Sequence, residues 1–155
     1  MSGLLGHGTL VANRFTIERI AGTGGMGAVY RAIDGETGGV VALKLAQAST
    51  QPQDAERFLR ESQVLATLHH PGIVGYVAHG RTSEGQLYLA MEWLDGESVA
   101  ERLRRAPLSI SESVTLLRRA AEALSVAHKN GVLHRDLKLS NLFLVGGSVD
   151  KVKVL

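Results

Sequence analysis

The stretch His134-Arg135-Asp136-Leu137-Lys138-Leu139-Ser140-Asn141 carries more chemical information than any other part of this 155-residue chain. It places a carboxylate at Asp136, an ammonium at Lys138 and a side-chain amide at Asn141, all within six positions. These groups can accept a hydroxyl proton, contact a phosphate and supply an oxygen ligand to magnesium. Phosphoryl transfer requires that combination of groups.

The octet resembles the catalytic loop of protein kinases, written H-R-D-L-x-x-x-N. The resemblance implies that Asp136 is the base or hydroxyl-orienting residue, that Lys138 contacts the γ-phosphate and that Asn141 binds magnesium. Because Lys138 lies two residues after Asp136, the loop matches the serine/threonine-specific version of the family rather than the tyrosine-specific one.

Three other residues of the octet have no direct part in the implied chemistry. His134 is expected to brace the loop, and Arg135 implies an activation segment that can dock a phosphate onto it. Leu139 stands where the family usually has proline. The absence of that ring predicts a slightly looser loop and removes no catalytic group.

A glycine-rich turn lies upstream, where residues 22–29 fit the pattern G-x-G-x-x-G-x-V. Alone the pattern is weak, and a flexible turn is the simpler interpretation. A dinucleotide site needs a helix after the glycines, but here the following residues alternate as in a strand. This order favours the kinase resemblance, which implies a flap over the phosphates of ATP. The expected contacts are Ala21, Gly22, Thr23, Gly24, Gly25, Met26, Gly27, Ala28 and Val29.

Lys44 lies in the apolar segment Val41-Ala42-Leu43-Lys44. A lone strand lysine is usually a solvated edge residue, but its position after the glycine loop resembles the V-A-I-K motif, whose lysine contacts the α- and β-phosphates. Ala42 is expected to contact the same nucleotide. A buried ammonium needs a partner, and Glu61 is predicted to supply it from the core-facing side of a helix. Glu56 is the competing candidate.

The segment Met91-Glu92-Trp93-Leu94 resembles the hinge that binds adenine in kinases. The resemblance implies that the carbonyl of Glu92 and the amide of Leu94 bind the base, with Met91 as the gatekeeper. An edge strand that runs into a turn predicts the same residue types. The assignment therefore depends on chain order.

The pattern of apolar and polar residues predicts an α+β, protein-kinase-like fold. It has a five-stranded antiparallel N-lobe sheet with one inserted helix, helix C, and then an incomplete helical C-lobe. Residues 1–14 are expected to be a flexible leader, 15–92 the N-lobe, and 93–155 the hinge and part of the C-lobe. Strands are predicted at 15–20, 28–33, 40–45, 73–79 and 86–92, with helices at 52–68, 98–105 and from Ser109. The last helix begins with the capping-box spacing S-x-x-E at Ser109 and Glu112. Its apolar face is expected to comprise Val114, Leu117, Ala120, Ala121, Leu124 and His128. Residues 141–145 and 151–155 are predicted to form a short β-pair around Gly146-Gly147.

Composition excludes several classes of function. Hydrophobic residues make up 45% and charged residues 21%, which suits an ordinary core. The net charge of +2 is too small to indicate nucleic-acid binding, and the absence of cysteine excludes disulfides and thiolate catalysis. No apolar run is long enough to span a membrane, and residues 1–7 lack the basic and apolar regions that are typical of a signal peptide. We therefore expect a cytoplasmic protein without membrane contact through this segment.

The predicted function is ATP- and Mg²⁺-dependent phosphorylation of serine or threonine hydroxyls in protein substrates. The family's second magnesium ligand, the Asp of D-F-G, is not found before Leu155. Residues 1–155 alone are therefore expected to have negligible activity, and the apolar face of the helix after Ser109 is expected to be exposed. The alternatives are an inactive kinase homologue that binds a nucleotide or a partner, and a small-molecule kinase, which is disfavoured by Asp-Leu-Lys-x-x-Asn.

Overall fold

The computed structural model describes residues 4–24, 27–47 and 52–155. Gly25 and Met26, two of the predicted ATP contacts, lie outside the described residues. The chain divides into two compact units. Unit 1 comprises Met1–Thr67 and Tyr76–Trp93, and unit 2 comprises Leu68–Gly75 and Leu94–Leu155.

Unit 1 is an antiparallel sheet with one helix. The strand order is β1-β2-β3-β4-β6-β5, and the helix α1 lies between β4 and β5 in the chain. The elements are β1 Leu10–Val11, β2 Phe15–Gly24, β3 Gly27–Asp34, β4 Val40–Ala46, α1 Pro52–Thr67, β5 Tyr76–Arg81 and β6 Leu87–Glu92.

The five predicted strands are all present, and the sixth is the short β1, which pairs with the start of β2. Residues 10–14 were expected to belong to a flexible leader. Val11 is instead buried in the core, so this part of the leader is built into the sheet. The predicted strand 73–79 begins later, at Tyr76, because Ile73 forms an isolated bridge to Val154 in unit 2.

Alternation along β3 and β4 gives the sheet a buried face and a half-buried face. Tyr30, Ala32, Val41, Leu43 and Leu45 are buried, whereas the residues between them are only partly covered. Phe15 and Ile17 of β2 and Ala90 of β6 complete this core. The order of the chain and the hydrogen-bonded register therefore fix which side chains occupy the other face.

Hydrogen bonds to a buried carboxylate stabilise the turn between β3 and β4. Asp34 is 0% exposed and accepts hydrogen bonds from Arg14 Nε at 2.7 Å and from Arg14 Nη2 at 2.8 Å. The Glu36 amide and the Thr37 hydroxyl donate to the same carboxylate at 3.0 Å. Hydrogen bonding by Arg14 holds the pKa of Asp34 well below its usual range. This ion pair joins the turn before β2 to the turn after β3.

Unit 2 combines two helices with a small three-stranded sheet in the order β7-β8-β9. Its elements are β7 Gly96–Ser98, α2 Val99–Arg105, α3 Ile110–Lys129, β8 Leu142–Val145 and β9 Val152–Val154, with 3-10 turns at Leu139–Asn141 and Val149–Lys151. The predicted pairing of the last two strands is confirmed, while β7 was not predicted.

Both helices of unit 2 begin with a reciprocal capping box. The predicted box joins Ser109 to Glu112 at the start of α3, and it is confirmed. A second box joins Ser98 to Glu101 at the start of α2. Its S-x-x-E spacing is the same signature, but this second box was not predicted. Each cap satisfies amides that the first helical turn leaves without partners.

The apolar face predicted for α3 is not the face that packs. The buried residues are Leu116, Ala120, Ala123 and Ala127, so only Ala120 of the predicted face is buried. Val114 is 60% and Leu117 66% exposed. Because α3 carries two apolar stripes at helical spacing, periodicity could not identify the stripe that packs on β9. The predicted exposure of the other stripe is confirmed.

Candidate active site

The glycine loop joins β2 to β3 at one end of unit 1. Gly27 has φ +125°, and a Cβ there would clash with the carbonyl oxygen of Leu45 in β4. Gly22 and Gly24 differ, because a Cβ on either would meet open space. Among the three loop glycines that the structure describes, packing therefore requires glycine at Gly27 and not at the other two. The two others leave backbone accessible, which suits a close approach by phosphate groups.

Four predicted nucleotide contacts share the half-buried face of the sheet. Val29 is directly opposite Lys44 in the β3–β4 register, and Ala42 is directly opposite Met91 in the β4–β6 register. Since Ala42 and Lys44 are two positions apart on one strand, all four side chains point to the same side. The sheet thus places a lysine ammonium among small and apolar groups.

The other predicted contacts of unit 1 have different positions. Ala28 lies on the opposite face, where it packs against the core, so only its backbone could meet a nucleotide. Ala21 and Thr23 are exposed residues of β2. Glu92 ends β6, while Leu94 is the first residue of the second segment of unit 2.

The expected ion pair between Lys44 and Glu61 is not present among the described residues. Glu61 does not face the core as predicted: its side chain is 62% exposed and pairs with Arg57, Nε to Oε1, at 3.1 Å. The neighbouring residue Ser62 is buried instead, and its hydroxyl donates to the Phe58 carbonyl at 2.8 Å. Glu61 lies about 100° around the helix from Ser62, which places it toward solvent.

The catalytic-loop residues in unit 2 form one polar cluster. Lys138 Nζ donates to Asp136 Oδ2 at 2.7 Å. Asn141 Nδ2 donates to the Asp136 backbone carbonyl at 2.8 Å and to Oδ2 at 3.2 Å. The Asp136 side chain is 52% exposed, so an incoming hydroxyl could reach it. The three residues that the sequence singled out are therefore brought together.

The electrostatics of this cluster favour an ionised carboxylate. Hydrogen bonding from Lys138 lowers the pKa of Asp136, and its charge and the Asn141 amide act in the same direction. Asp136 is therefore an acceptor at neutral pH, as a residue that receives or orients a hydroxyl proton must be.

The predicted bracing role of His134 is confirmed. The Asp136 amide donates to His134 Nδ1 at 3.3 Å, and His134 Nε2 lies 2.8 Å from the Leu155 carbonyl oxygen. Since Nδ1 accepts a hydrogen bond from the Asp136 amide, the ring hydrogen is assigned to Nε2, which donates to the Leu155 carbonyl. Arg135 has φ +61°, a strained conformation for a residue with a side chain. The loop is thus held in a sharp turn.

The donor set fits a magnesium ion that is shared with phosphate groups. Mg²⁺ is commonly held by one or two side-chain oxygens together with phosphate oxygens and waters. Both hydrogen bonds from Asn141 to Asp136 use Nδ2, so neither engages the amide oxygen that would be the ligand. No group of three or more His, Cys, Asp or Glu suited to a metal occurs within residues 4–24, 27–47 and 52–155.

One cluster in unit 1 was not predicted from the sequence. The guanidinium groups of Arg19 and Arg31 lie 5.3 Å and 5.6 Å from the ring centroid of Trp93. Trp93 sits between the two residues expected to bind adenine. The available signal was the cross-strand pairing of the two arginines, which becomes visible only when the register of β2 and β3 is known.

The fold and the two groups of residues define a protein kinase domain, and comparison with known proteins agrees. The family model described as "Protein kinase domain" matches residues 15–155. The chain belongs to this family. The predicted kinase-like fold and the recognition of the family are therefore confirmed.

Relatives of the chain are bacterial serine/threonine-protein kinases. It is 38% identical over 146 residues to PknJ of Mycobacterium tuberculosis, which covers 93% of this chain and 24% of PknJ. It is 35% identical to PknA of the same organism, over 88% of this chain and 33% of PknA. The crystal structure of the M. tuberculosis PknI kinase domain matches with a TM-score of 0.86 and 30% identity, covering 97% of this chain and 60% of that one.

The chain thus spans about a quarter to a third of the length of these curated relatives. None of the described helices has the length and apolar character needed to cross a bilayer.

Proposed function

We propose that the whole protein is an ATP-dependent protein serine/threonine kinase that acts in the cytoplasm, with serine or threonine hydroxyls of proteins as acceptors. The observation that carries the proposal is the cluster formed by Asp136, Lys138 and Asn141. It combines an ionised, accessible carboxylate with a cation and an amide in one short loop. Family membership and the serine/threonine kinases among the relatives support the same function.

Each group has a defined task in this proposal. Asp136 accepts or orients the proton of the attacking hydroxyl, and Lys138 neutralises charge on the transferred γ-phosphoryl group. Asn141 supplies an oxygen to Mg²⁺, which stabilises the charge that develops on the phosphate oxygens. Since little covalent chemistry is left for the protein, positioning and electrostatic stabilisation provide most of the acceleration.

The predicted contacts between the glycine loop and Leu94 hold the nucleotide. Lys44 contacts the α- and β-phosphates, and the amides of the glycine loop cover them. Val29, Ala42 and Met91 supply an apolar surface for adenine, and the Glu92 carbonyl and the Leu94 amide bind its polar edge. Glu61 is proposed to pair with Lys44 in the assembled site, which requires it to leave Arg57.

The decisive experiment is phosphate transfer from radiolabelled Mg-ATP to a serine-containing peptide by the whole protein. Asp136→Asn should lower the rate by about 10²–10⁴-fold, because the amide cannot accept the proton. Asp150→Asn, an exposed aspartate of the same unit, is the matched control and should leave the rate unchanged. Equal rates for Asp136→Asn and the wild type would contradict the proposal.

A second candidate is a homologue that binds nucleotide or a partner without transferring phosphate. The absence of a Lys44–Glu61 pair among the described residues favours it, because catalysis in the family needs that pair in place. Calorimetric titration with Mg-ATP separates the two functions. Binding by the wild-type whole protein together with no transfer to any protein substrate would support the second candidate, whereas transfer abolished by Asp136→Asn excludes it.

A further inference from the structure

Trp93, the single tryptophan of the chain, directly follows β6 and is contacted by two arginines from the hairpin that carries the glycine loop. Arg19 lies on β2 and Arg31 on β3, and each guanidinium carbon is within 6 Å of the indole centroid, at 5.3 Å and 5.6 Å. Arg31 also forms an ion pair with Glu18. Cations at such distances are attracted to the electron-rich face of an aromatic ring.

The two arginines are an unusual choice for their positions. They are directly opposite one another in the β2–β3 register, and like charges in opposed positions destabilise a sheet. Contacts of both guanidinium groups with the Trp93 ring, and the ion pair of Arg31 with Glu18, offset that repulsion. Register shifts on both sides of Arg19, between Ile17 and Arg19 and between Ile20 and Gly22, redirect the side chains of β2.

The cluster joins two parts of the proposed nucleotide site. One end is the β2–β3 hairpin, whose tip is the glycine loop. The other is the residue between Glu92 and Leu94, which supply the proposed adenine contacts. Arg31 also shares the sheet face of Val29, since the two are separated by two positions on β3. A change in the cluster would therefore alter the spacing between the adenine contacts and the phosphate contacts.

We propose that Arg19, Arg31 and Trp93 are positioning residues that set this spacing and thereby the affinity for ATP. The proposal rests on the proposed function, since it deepens the role of the same nucleotide site. The three residues touch neither substrate nor reacting atoms in this scheme. Their loss should weaken ATP binding and leave the chemical step intact.

The test uses calorimetry on the whole protein. It compares Mg-ATP binding by the wild type with binding by the double variant Arg19→Gln/Arg31→Gln. Loss of the cation–aromatic contacts is expected to raise the Kd by about three- to tenfold. In the whole protein, KM for ATP should rise by the same factor while kcat at saturating ATP stays unchanged. Replacing both arginines with lysine retains the cations and should restore most of the affinity.

A control variant and a spectroscopic measurement separate a positioning role from a structural one. Arg81→Gln removes an arginine from the end of β5, outside the cluster, and should leave the Kd for Mg-ATP unchanged. Trp93 itself is a spectroscopic reporter, and its emission should change on addition of Mg-ATP in the wild type and change less in the double variant.

The outcomes distinguish the two proposals. Binding of Mg-ATP with the same Kd by the wild type and the double variant overturns the positioning role alone. A fall in kcat with an unchanged KM overturns it as well. If the wild type fails to bind Mg-ATP, both the positioning role and the proposed function are overturned.

Discussion

Two cation–carboxylate pairs of unit 1 that are similarly separated in the chain can be compared: the pair of Arg14 and Asp34 is formed, whereas the expected pair of Lys44 and Glu61 is not formed among the described residues. Arg14 and Asp34 are 20 positions apart and make a bidentate pair, in which Asp34 is buried and Arg14 is partly buried. Lys44 and Glu61 are 17 positions apart, but Glu61 pairs with Arg57 on the exposed side of α1. Sequence separation therefore does not decide which pair forms.

The difference lies in the elements that carry the charged residues. Arg14 and Asp34 flank strands whose register is fixed by backbone hydrogen bonds, with Phe15 directly opposite Asp34. Lys44 and Glu61 lie on a strand and a helix, and α1 is rotated so that Ser62 is buried and Glu61 is exposed. Backbone pairing thus holds the first pair, whereas the second depends on how a helix packs.

The largest expected effect comes from removing Lys44, whose expected pair with Glu61 is not formed among the described residues. Lys44→Met in the whole protein should lower phosphate transfer by about 10²–10³-fold, because a cation that stabilises developing phosphate charge is lost. Stability should change by less than about 0.5 kcal/mol, since no ion pair of Lys44 exists within the described parts of the chain. Peptide phosphorylation and urea denaturation measure the two quantities.

Lys129→Met, at the exposed end of α3, is the matched control and should affect neither quantity. A large loss of stability in Lys44→Met would show that Lys44 has an ion-pair partner in solution. That result would remove the contrast between the two pairs.

Removing Asp34 from the Arg14–Asp34 pair should have the opposite effect to removing Lys44: the stability should fall, and ATP binding should not. Asp34→Ala should destabilise the protein by about 3 kcal/mol, because Arg14 then remains partly buried without its carboxylate. ATP affinity of the molecules that stay folded should be unchanged. Glu36→Ala is the control: Glu36 also pairs with Arg14, at 2.8 Å, but is mostly exposed, so its loss should cost less than about 1 kcal/mol. Similar losses for the two variants would contradict a special role for Asp34.

Acidic pH should reduce the contribution of the Arg14–Asp34 pair to stability. The pKa of Asp34 is lowered in the folded protein, chiefly by the hydrogen bond from Arg14, so folding favours the ionised form. Its stabilising contribution is therefore complete above the unfolded pKa of about 4 and declines as the pH falls below that value. The difference in unfolding free energy between wild type and Asp34→Asn should shrink by at most about 1.4 kcal/mol per pH unit below pH 4. A constant difference from pH 7 to pH 2 would contradict this assignment.

The same contrast explains what could be predicted from the sequence. The geometry of Asp136, Lys138 and Asn141 was predictable because the hydrogen bonds that join these three residues span at most five positions. The strands were predictable from alternation, since β3 and β4 bury every second residue. Family resemblance then placed these segments in the right order.

Contacts that depend on helix rotation could not be predicted in the same way. Two apolar stripes on α3 satisfy the same periodicity, and Leu116 rather than Leu117 is buried. Glu61 and Ser62 are neighbours in sequence, and only packing against the sheet decides which of them faces inward. The pairing of Arg19 with Arg31 required the register shifts of β2, which no local pattern specifies.

The smallest expected effect comes from removing Arg57, which competes with Lys44 for the Glu61 carboxylate. Arg57→Gln removes an exposed i,i+4 pair, in the less favourable order with the cation first, and should cost at most about 0.5 kcal/mol of stability. Because Glu61 no longer has to leave Arg57 to reach Lys44, the rate of phosphate transfer should rise by up to about twofold. Arg60→Gln, an exposed arginine of the same helix, is the control and should leave the rate unchanged. Glu61→Gln should lower the rate, and combining it with Arg57→Gln should abolish the gain. If Arg57→Gln lowers the rate as Glu61→Gln does, the pair with Arg57 supports the active arrangement, and the proposed exchange of partners is wrong.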